Sequence, residues 1–407
     1  MKNILLKTLI TCCIFSVAII TPGYCQSPKV YSIDAKTLVA SKQKIKEGDK
    51  QAMTAYHNLV KAADKSLTVG PFSVMNKVQT PPSGDKHDYM SLAPYFWPNP
   101  NTPNGLPYVN KDGEITPEVK DFKDKDDMVK MCSTVEILSL AYYFSGDEKY
   151  AERCALLIRT WFISPDTKMN PNVKYGQAVK GLNEGRKEGV LETRGFSKVV
   201  DAIGLLKGSK SWTTNDQQAM QTWIGEFLTW IQTDKIGVAE MNATNNHGTW
   251  FDAQRLSYAL FLGKHDLANE ICKNAITRLD KQMDEFGTFP RELARTKSLG
   301  YSFFNINAFF QIAVLAEKTD VDLWKEVTPS GKSLRKAIEA LAPYFSKEKE
   351  WTGKQIEPYN LAGEIPLFYL ASVKYNHPEY LKAIANQKTP TLESDWKQLI
   401  FGFIKQN

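Results

Sequence analysis

The sequence predicts an all-α fold whose helical hairpins close into an (α/α) toroid, and three observations carry that expectation. Apolar residues recur at three- and four-residue spacing over 52–63, 127–143, 150–162, 196–206, 215–232 and 249–262. The same spacing continues over 267–285, 302–317, 333–345, 362–375 and 380–385, while strand-like alternation is almost absent. The joints between helices also repeat one design. Tyr142 to Asp147 leads through Ser145-Gly146 into Tyr150-Ala151, and Tyr258 to Gly263 leads into Leu267-Ala268. A looser copy runs from Ala371 through His377-Pro378 to Tyr380-Leu381. Each ends an apolar helix at Gly or Asn, turns through polar residues and starts again, as αα-hairpins do. An ordinary bundle is the alternative, but ~10–12 such helices exceed what one bundle core holds.

At the N-terminus, Lys2 and Lys7 precede an apolar run from Thr8 to Ile20 that Thr21-Pro22-Gly23 breaks. The run is short for a membrane span and fits a secretory signal over residues 1–25, leaving 26–407 as one toroid domain. The expectation is a periplasmic protein, and the alternative is an outer-membrane lipoprotein acylated at Cys25. Tyr24 argues against acylation, because that position favours a small residue. Removing the signal leaves Cys132, Cys154 and Cys272, an odd number in apolar helical settings that suits buried hydrophobes rather than a disulfide framework. The formal charge of +6 falls to +4 without Lys2 and Lys7. That mild excess permits a polyanionic partner, and no basic block of the nucleic-acid kind is present. A monomer is expected.

Two stretches resist helix assignment. Residues 71–118 are rich in proline and glycine, and 169–195 contain Asn170-Pro171-Asn172 and several glycines. Loops this long in a compact domain are usually functional or disordered, and Tyr89, Tyr95, Phe96 and Trp97 argue for order. Both are expected to lie over one mouth of the toroid. His87-Asp88 reads as loop structure.

Two constellations carry chemistry. Asn245-Asn246-His247-Gly248-Thr249-Trp250 sits where a loop enters a helix. There an amide can donate to a carboxylate while the imidazole moves a proton, although a capping histidine would look the same. In Pro290 to Tyr301, Arg295 lies six residues before Tyr301 at a helix entrance. A guanidinium near the phenol is expected to lower its pKa and fit it for proton transfer, against the alternative of a solvated charged loop. Tyr95 and Trp97 offer ring faces for stacking on sugars, though Trp97 beside Pro98 would equally anchor a loop. Arg194 can clamp a carboxylate bidentately or pair with Glu188 or Glu192.

Taken in order, Tyr89-Met90-Ser91-Leu92-Ala93-Pro94-Tyr95-Phe96-Trp97-Pro98, Asn246-His247-Gly248-Thr249-Trp250 and Arg291-Glu292-Leu293-Ala294-Arg295 resemble the alginate lyase superfamily. The likeness is to polysaccharide lyase families 5 and 38 and covers roughly residues 71–375. The resemblance implies a toroid that cleaves an anionic polysaccharide, alginate or glucuronan, by β-elimination. Asn246, helped by His247 and Arg295, would neutralise the uronate carboxylate. Tyr301 would be the acid, and also the base when both groups leave one face. His247 would be the base when they leave opposite faces. Tyr175 and Gln177 match a short tyrosine-x-glutamine element of the family, and Trp250 completes the expected substrate contacts. The scheme calls for no cofactor, and no metal-ligand spacing is evident. The rival enzyme is a glycoside hydrolase, which needs two facing carboxyls, for which Glu240, Asp252 and Glu292 are the candidates. A non-catalytic glycan-binding protein is the remaining alternative.

Overall fold

The computed structural model describes residues 27–404 apart from Lys388, Pro390 and Thr391, so the expected signal segment and Cys25 lie outside the described residues. Helices dominate. The N-terminal part holds α1 (Ala35–Lys46), α2 (Lys50–Ser66), α3 (Lys123–Ser145), α4 (Glu148–Ile158) and α5 (Phe196–Leu205). The middle holds α6 (Thr214–Thr233), α7 (Lys235–Met241), α8 (Asn246–Phe261), α9 (His265–Gln282), α10 (Pro290–Leu293) and α11 (Ser298–Ala316). The chain finishes with α12 (Leu334–Phe345), α13 (Ile365–Lys374), α14 (Glu379–Ala385) and α15 (Gln398–Phe401). Consecutive pairs such as α3 with α4, α8 with α9 and α13 with α14 pack as hairpins, and the whole is an (α/α) toroid.

The joints work as their sequences require. Gly146 takes φ 74° at the end of α3 and donates its N–H to the Tyr142 carbonyl at 2.7 Å. Only glycine adopts that left-handed cap without a steric cost. Gly263 (φ 69°) plays the same part after α8, and Asn376 (φ 50°) after α13.

Four helices are absent from the sequence reading, the short α7, α10 and α15 and the twelve-residue α1. In α1 only Leu38 and Ser41 are buried, and four of its twelve residues are lysines, so no broad apolar stripe announces it. Its support comes from Asp34, whose carboxylate caps the Lys36 and Thr37 amides. Just before it, Asp201 of α5 accepts from the backbone N–H groups of Tyr31 (2.6 Å) and Ser32 (3.1 Å). The chain passes so close to α5 that a Cβ on Gly204 would stand 1.8 Å from the Lys29 carbonyl oxygen.

At the centre, α8 departs from the amphipathic pattern in a way that matters for the site. Every residue of it is buried except His247, and it packs against α5, α6, α7, α9 and α11. A helix buried all round must be apolar or internally paired. Here Asp252 accepts from Arg278 Nε at 2.7 Å and Gln254 accepts from Thr193 at 2.7 Å. Its main neighbour, α11, is long and apolar enough to cross a membrane, yet it is a core helix, mostly buried against α8, α9 and α12.

The two long loops are ordered and joined to each other. Within 71–118, β1 (Met90–Leu92) pairs in parallel with β4 (Tyr175–Ala178) of the second loop. A small antiparallel hairpin, β2 (Phe96–Trp97) with β3 (Val109–Asn110), projects beside them. The Met90 N–H reaches Asp124 of α3 at 3.0 Å. Asp124 also meets Lys77 at 2.9 Å, with both side chains only 1% exposed. The Lys77 ammonium donates further to the Val74 and Lys86 carbonyls, each at 2.7 Å. This buried pair pins the first loop to the first turn of α3. Burial outweighs the lysine and raises the Asp124 carboxyl to about 6.

Removing one partner of such a pair leaves a buried charge uncompensated. Lys77→Met should therefore cost about 3–5 kcal/mol at neutral pH. The loss should shrink as pH falls towards about 6 and level off below it, because without the lysine Asp124 takes up its proton at a higher pH than in the native protein. Urea unfolding at several pH values measures both effects, and a pH-independent loss would contradict the account.

Candidate active site

Both loops and the starts of α8 and α11 surround one cleft of about 780 Å³. The first loop contributes Tyr95, Asn110 and Asp112, and the second contributes Gln177, Arg186, Glu192 and Arg194. Asn245, Asn246 and His247 enter from α8, and Arg295 from the turn after α10. Gly300, Tyr301, Phe304 and Asn307 recur at helical spacing, so one face of α11 forms a wall.

The segment before α8 is held from behind. Arg278 of α9 donates to the Ala243 carbonyl (2.6 Å) and the Met241 carbonyl (2.9 Å) while it pairs with Asp252. Gln282 donates to the Asn245 carbonyl at 3.0 Å and accepts from Asn305 at 3.0 Å. Gly248 is required because a Cβ there would lie 2.1 Å from both the Ala243 oxygen and Arg278 Nη1. The first two helical residues are then fixed by buried carboxylates. Glu292 accepts from the Asn246 backbone N–H and from Asn246 Nδ2, each at 2.7 Å. Glu240, wholly buried, meets His247 Nδ1 at 2.6 Å. A carboxylate accepting at Nδ1 puts the ring proton there and leaves Nε2 as the basic nitrogen.

Around Tyr301 the arrangement is equally tight. Its hydroxyl accepts from Arg295 Nη2 at 2.8 Å and lies 2.9 Å from the Tyr95 hydroxyl. The same guanidinium lies 3.8 Å from the centroid of the Tyr301 ring. On its other side Arg295 grips Asp112, with Nε at 3.0 and 3.1 Å from the two carboxylate oxygens. Burial would raise the Asp112 carboxyl, but Arg295 and the Thr296 backbone and side chain outweigh it and hold it down at about 2. That grip therefore persists at neutral pH and loosens only as pH falls from the ordinary carboxylate range towards 2.

One expectation is overturned here. Arg295 stands where the sequence placed it, yet the Tyr301 phenol is pushed well above its ordinary value. Burial is the main cause and Tyr95 adds to it, together outweighing Arg295, while Asp112 adds a smaller push in the same direction. The phenol is protonated in the free site.

Other expected contacts divide. Tyr95, Gln177 and Arg194 line the cleft, whereas Trp97, Tyr175 and Trp250 are not among its lining residues. Trp97 donates its indole N–H to the Glu114 carbonyl at 3.0 Å and carries Lys111 over its ring, so it anchors the β2–β3 hairpin. Trp250 is buried against Phe304 and donates to that residue's carbonyl at 3.1 Å. Tyr175 is buried within β4. Arg194 forms no ion pair with Glu188 or Glu192 among the described contacts, and its guanidinium lies over the Phe304 ring at 5.5 Å. Gln177 takes a left-handed φ of 51° and accepts from Arg186 at 2.8 Å.

The hydrolase candidates are committed elsewhere. Glu240 and Glu292 lie beneath His247 and Asn246, and Asp252 lies on Arg278. None of the three lines the cleft. Among the described residues no group of three or more His, Cys, Asp or Glu could hold a metal ion.

Asp112, Arg186 and the positioning roles of Glu240 and Glu292 escaped the sequence reading. Asp112-Gly113 is a turn signal, but nothing local announces a partner 183 residues away.

With only five histidines in the chain, the tautomer of His247 is open to nitrogen-15 NMR. The native protein should show the proton on Nδ1. Glu240→Gln should shift the signals toward a mixed tautomer, since a carboxamide can donate as well as accept. Unchanged signals would mean that Glu240 does not set the ring.

The sequence model of the alginate lyase family matches residues 73–351. An alginate lyase from Bacteroides ovatus has a solved structure with 34% sequence identity and a TM-score of 0.88, over 92% of this chain and 99% of that one. Alginate lyase A1-III from Sphingomonas species A1 is similar at 13% identity and a TM-score of 0.51, over 78% of each chain. A variant of A1-III complexed with tetrasaccharide is similar at 13% identity and a TM-score of 0.55, over 88% of this chain and 91% of that one. At such identities these two speak to the fold alone. No curated protein matches the sequence. The family match spans more than half of the chain and the Bacteroides ovatus relative spans nearly all of it, so the chain belongs to the alginate lyase family and is a polysaccharide lyase.

Proposed function

We propose that this lyase cleaves alginate, with glucuronan as a second candidate polyuronate, by β-elimination that leaves an unsaturated uronate end. One observation carries the reading: a protonated Tyr301 hydroxyl, the imidazole of His247 and the amide of Asn246 meet in a single cleft. The C5 proton of a uronate is weakly acidic while its carboxylate is charged, so that charge must be met by donors as it spreads into an enediolate-like intermediate. Asn246 is the group we assign to this task, supported by Arg295. Arg194 and Gln177 would contact neighbouring sugars, and Tyr95 would approach the scissile region through its contact with Tyr301.

The phenol of Tyr301 suits protonation of the leaving C4 oxygen directly, since burial keeps its proton in place. Acting as base, Tyr301 must first release that proton, and the Tyr95 hydroxyl at 2.9 Å offers the way out. His247 needs no such step, because its Nε2 is already the basic nitrogen. It is therefore the base for sugars whose C5 proton and C4 oxygen lie on opposite faces, as in guluronate. For mannuronate and glucuronate, where both lie on one face, Tyr301 serves twice. Export to the periplasm accords with Lys2, Lys7 and the apolar run after them.

The test uses polymannuronate, polyguluronate and glucuronan, following the near-ultraviolet absorbance of the unsaturated product. Tyr301→Phe should lower kcat by about 10²–10⁴ on every substrate that the native protein cleaves. His247→Ala should depress guluronate cleavage far more than mannuronate cleavage. Reducing ends that appear without absorbance, or a Tyr301→Phe protein that keeps most of its turnover, would sink the proposal.

A further inference from the structure

We infer that Glu292 takes up a proton when a uronate binds, and that this reverses the Asn246 amide so that both its N–H groups face the substrate carboxylate. The inference deepens the lyase reading above and rests on it.

The observations begin with an unmatched atom. Asn246 is wholly buried, its backbone N–H and Nδ2 both donate to Glu292, and its Oδ1 has no hydrogen-bond partner. A buried acceptor left unpaired is costly, and natural sites seldom keep one without a use. As it stands, the amide spends one N–H on Glu292 and has a single N–H left for a ligand. Half a turn of the carboxamide exchanges Oδ1 and Nδ2 without moving the backbone. Oδ1 then needs a donor where Glu292 Oε2 lies, and a protonated carboxyl supplies it. Oε1 keeps the backbone N–H, Oδ1 becomes paired, and both N–H groups are free for the ligand.

The surroundings favour that proton. Glu292 is 1% exposed, and burial holds its carboxyl above the ordinary range against its bonds from Asn246 and the charges of Arg295 and His247. Each of those two groups has a carboxylate of its own, Asp112 on Arg295 and Glu240 on His247. Arg291, on the same turn as Glu292, is exposed to solvent. A uronate arriving at Asn246 brings another negative charge beside Glu292, and like charges at close range drive one carboxyl to keep a proton. No covalent bond changes. The proton comes from solvent on binding and returns to it on release.

Calorimetry decides the matter in the Tyr301→Phe background, where slowed turnover should let binding be measured. Mannuronate and guluronate tetramers are titrated near neutral pH in two buffers of different ionisation enthalpy, giving the protons bound per site. The expected result is uptake approaching about one proton per site, lost when Glu292→Gln is added. The glutamine should leave Kd little changed, because its Nε2 replaces the carboxyl proton as donor to Oδ1. Absence of uptake, or uptake that survives Glu292→Gln, overturns the inference. If Glu292→Gln does not fold, His247→Gln in the same background decides instead. Uptake that persists without the imidazole then supports Glu292, and uptake that vanishes assigns the proton to His247. Should neither tetramer bind, the alginate reading falls, and should Asn246→Ala leave Kd unchanged, the assignment of Asn246 to the carboxylate falls; both outcomes are separate from a measured uptake of zero.

Discussion

The cleft depends on how α8 begins. A helix buried on every side cannot turn its first residues toward water, so its opening must be paid for by fixed partners. Arg278 takes the carbonyls of Met241 and Ala243, Gln282 takes that of Asn245, and Glu292 takes the Asn246 N–H. Once these are in place, Asn246 and His247 have nowhere to go except the cleft wall. Gly248 is the consequence rather than the cause, since any Cβ would collide with the oxygen and guanidinium that do the holding. The side chains assigned to the chemistry thus sit on a turn held from several sides, where folding would already supply the preorganisation they need.

A second constraint crosses the cleft from the loop side. Asp112, on the β2–β3 hairpin, accepts from Arg295 and from the Thr296 N–H. That tie fixes the guanidinium at the Tyr301 hydroxyl, and it also adds a little to the burial that keeps the phenol protonated. The two effects share one carboxylate. A free arginine would leave the tyrosine in a looser place, whereas the paired arginine holds a tyrosine that burial keeps protonated at hydrogen-bond distance. For a group assigned to protonate a leaving oxygen, the second arrangement is the useful one.

These two constraints explain what was legible in the sequence and what was not. Helical spacing and the Gly146 and Gly263 caps are local, so the hairpins could be read from neighbouring residues. Asn246-His247 and Arg295…Tyr301 were visible because each pair sits within a few positions at a helix entrance. The α1 helix was missed because only Leu38 and Ser41 turn inward, and its anchor Asp201 lies far along the chain. Trp97 was placed at the substrate by residue type, and Tyr175 and Trp250 with the family's motifs, but which side chains line the cleft is decided by packing partners that the local sequence does not name. The sign of the Tyr301 shift failed for the same reason. Arg295 was visible six residues away, whereas the burial that outweighs it is set by packing, and Tyr95, which adds most to burial, comes from a loop about two hundred residues earlier.

How the proposed polyanion would be held follows from the same logic of pairing. The cleft is lined by six basic side chains, Lys125, Arg186, Lys187, Arg194, Arg295 and Lys297, and by five carboxylates, Asp112, Glu188, Glu192, Glu357 and Glu364. Six against five is close to neutral, so bulk attraction is not what would select a uronate. Most of these charges are already matched: Arg295 with Asp112, Lys125 with Glu192, Arg186 with Glu188 and Lys297 with Glu357. Glu364 accepts from Asn307 and Tyr359. Pairing quiets the carboxylates that would repel a polyuronate, and it leaves recognition to donors fixed at particular points, with Arg194 and the Asn246 amide foremost. A cleft built in this way would discriminate by where a carboxylate lies on the sugar, which is the feature that separates guluronate from mannuronate and glucuronate.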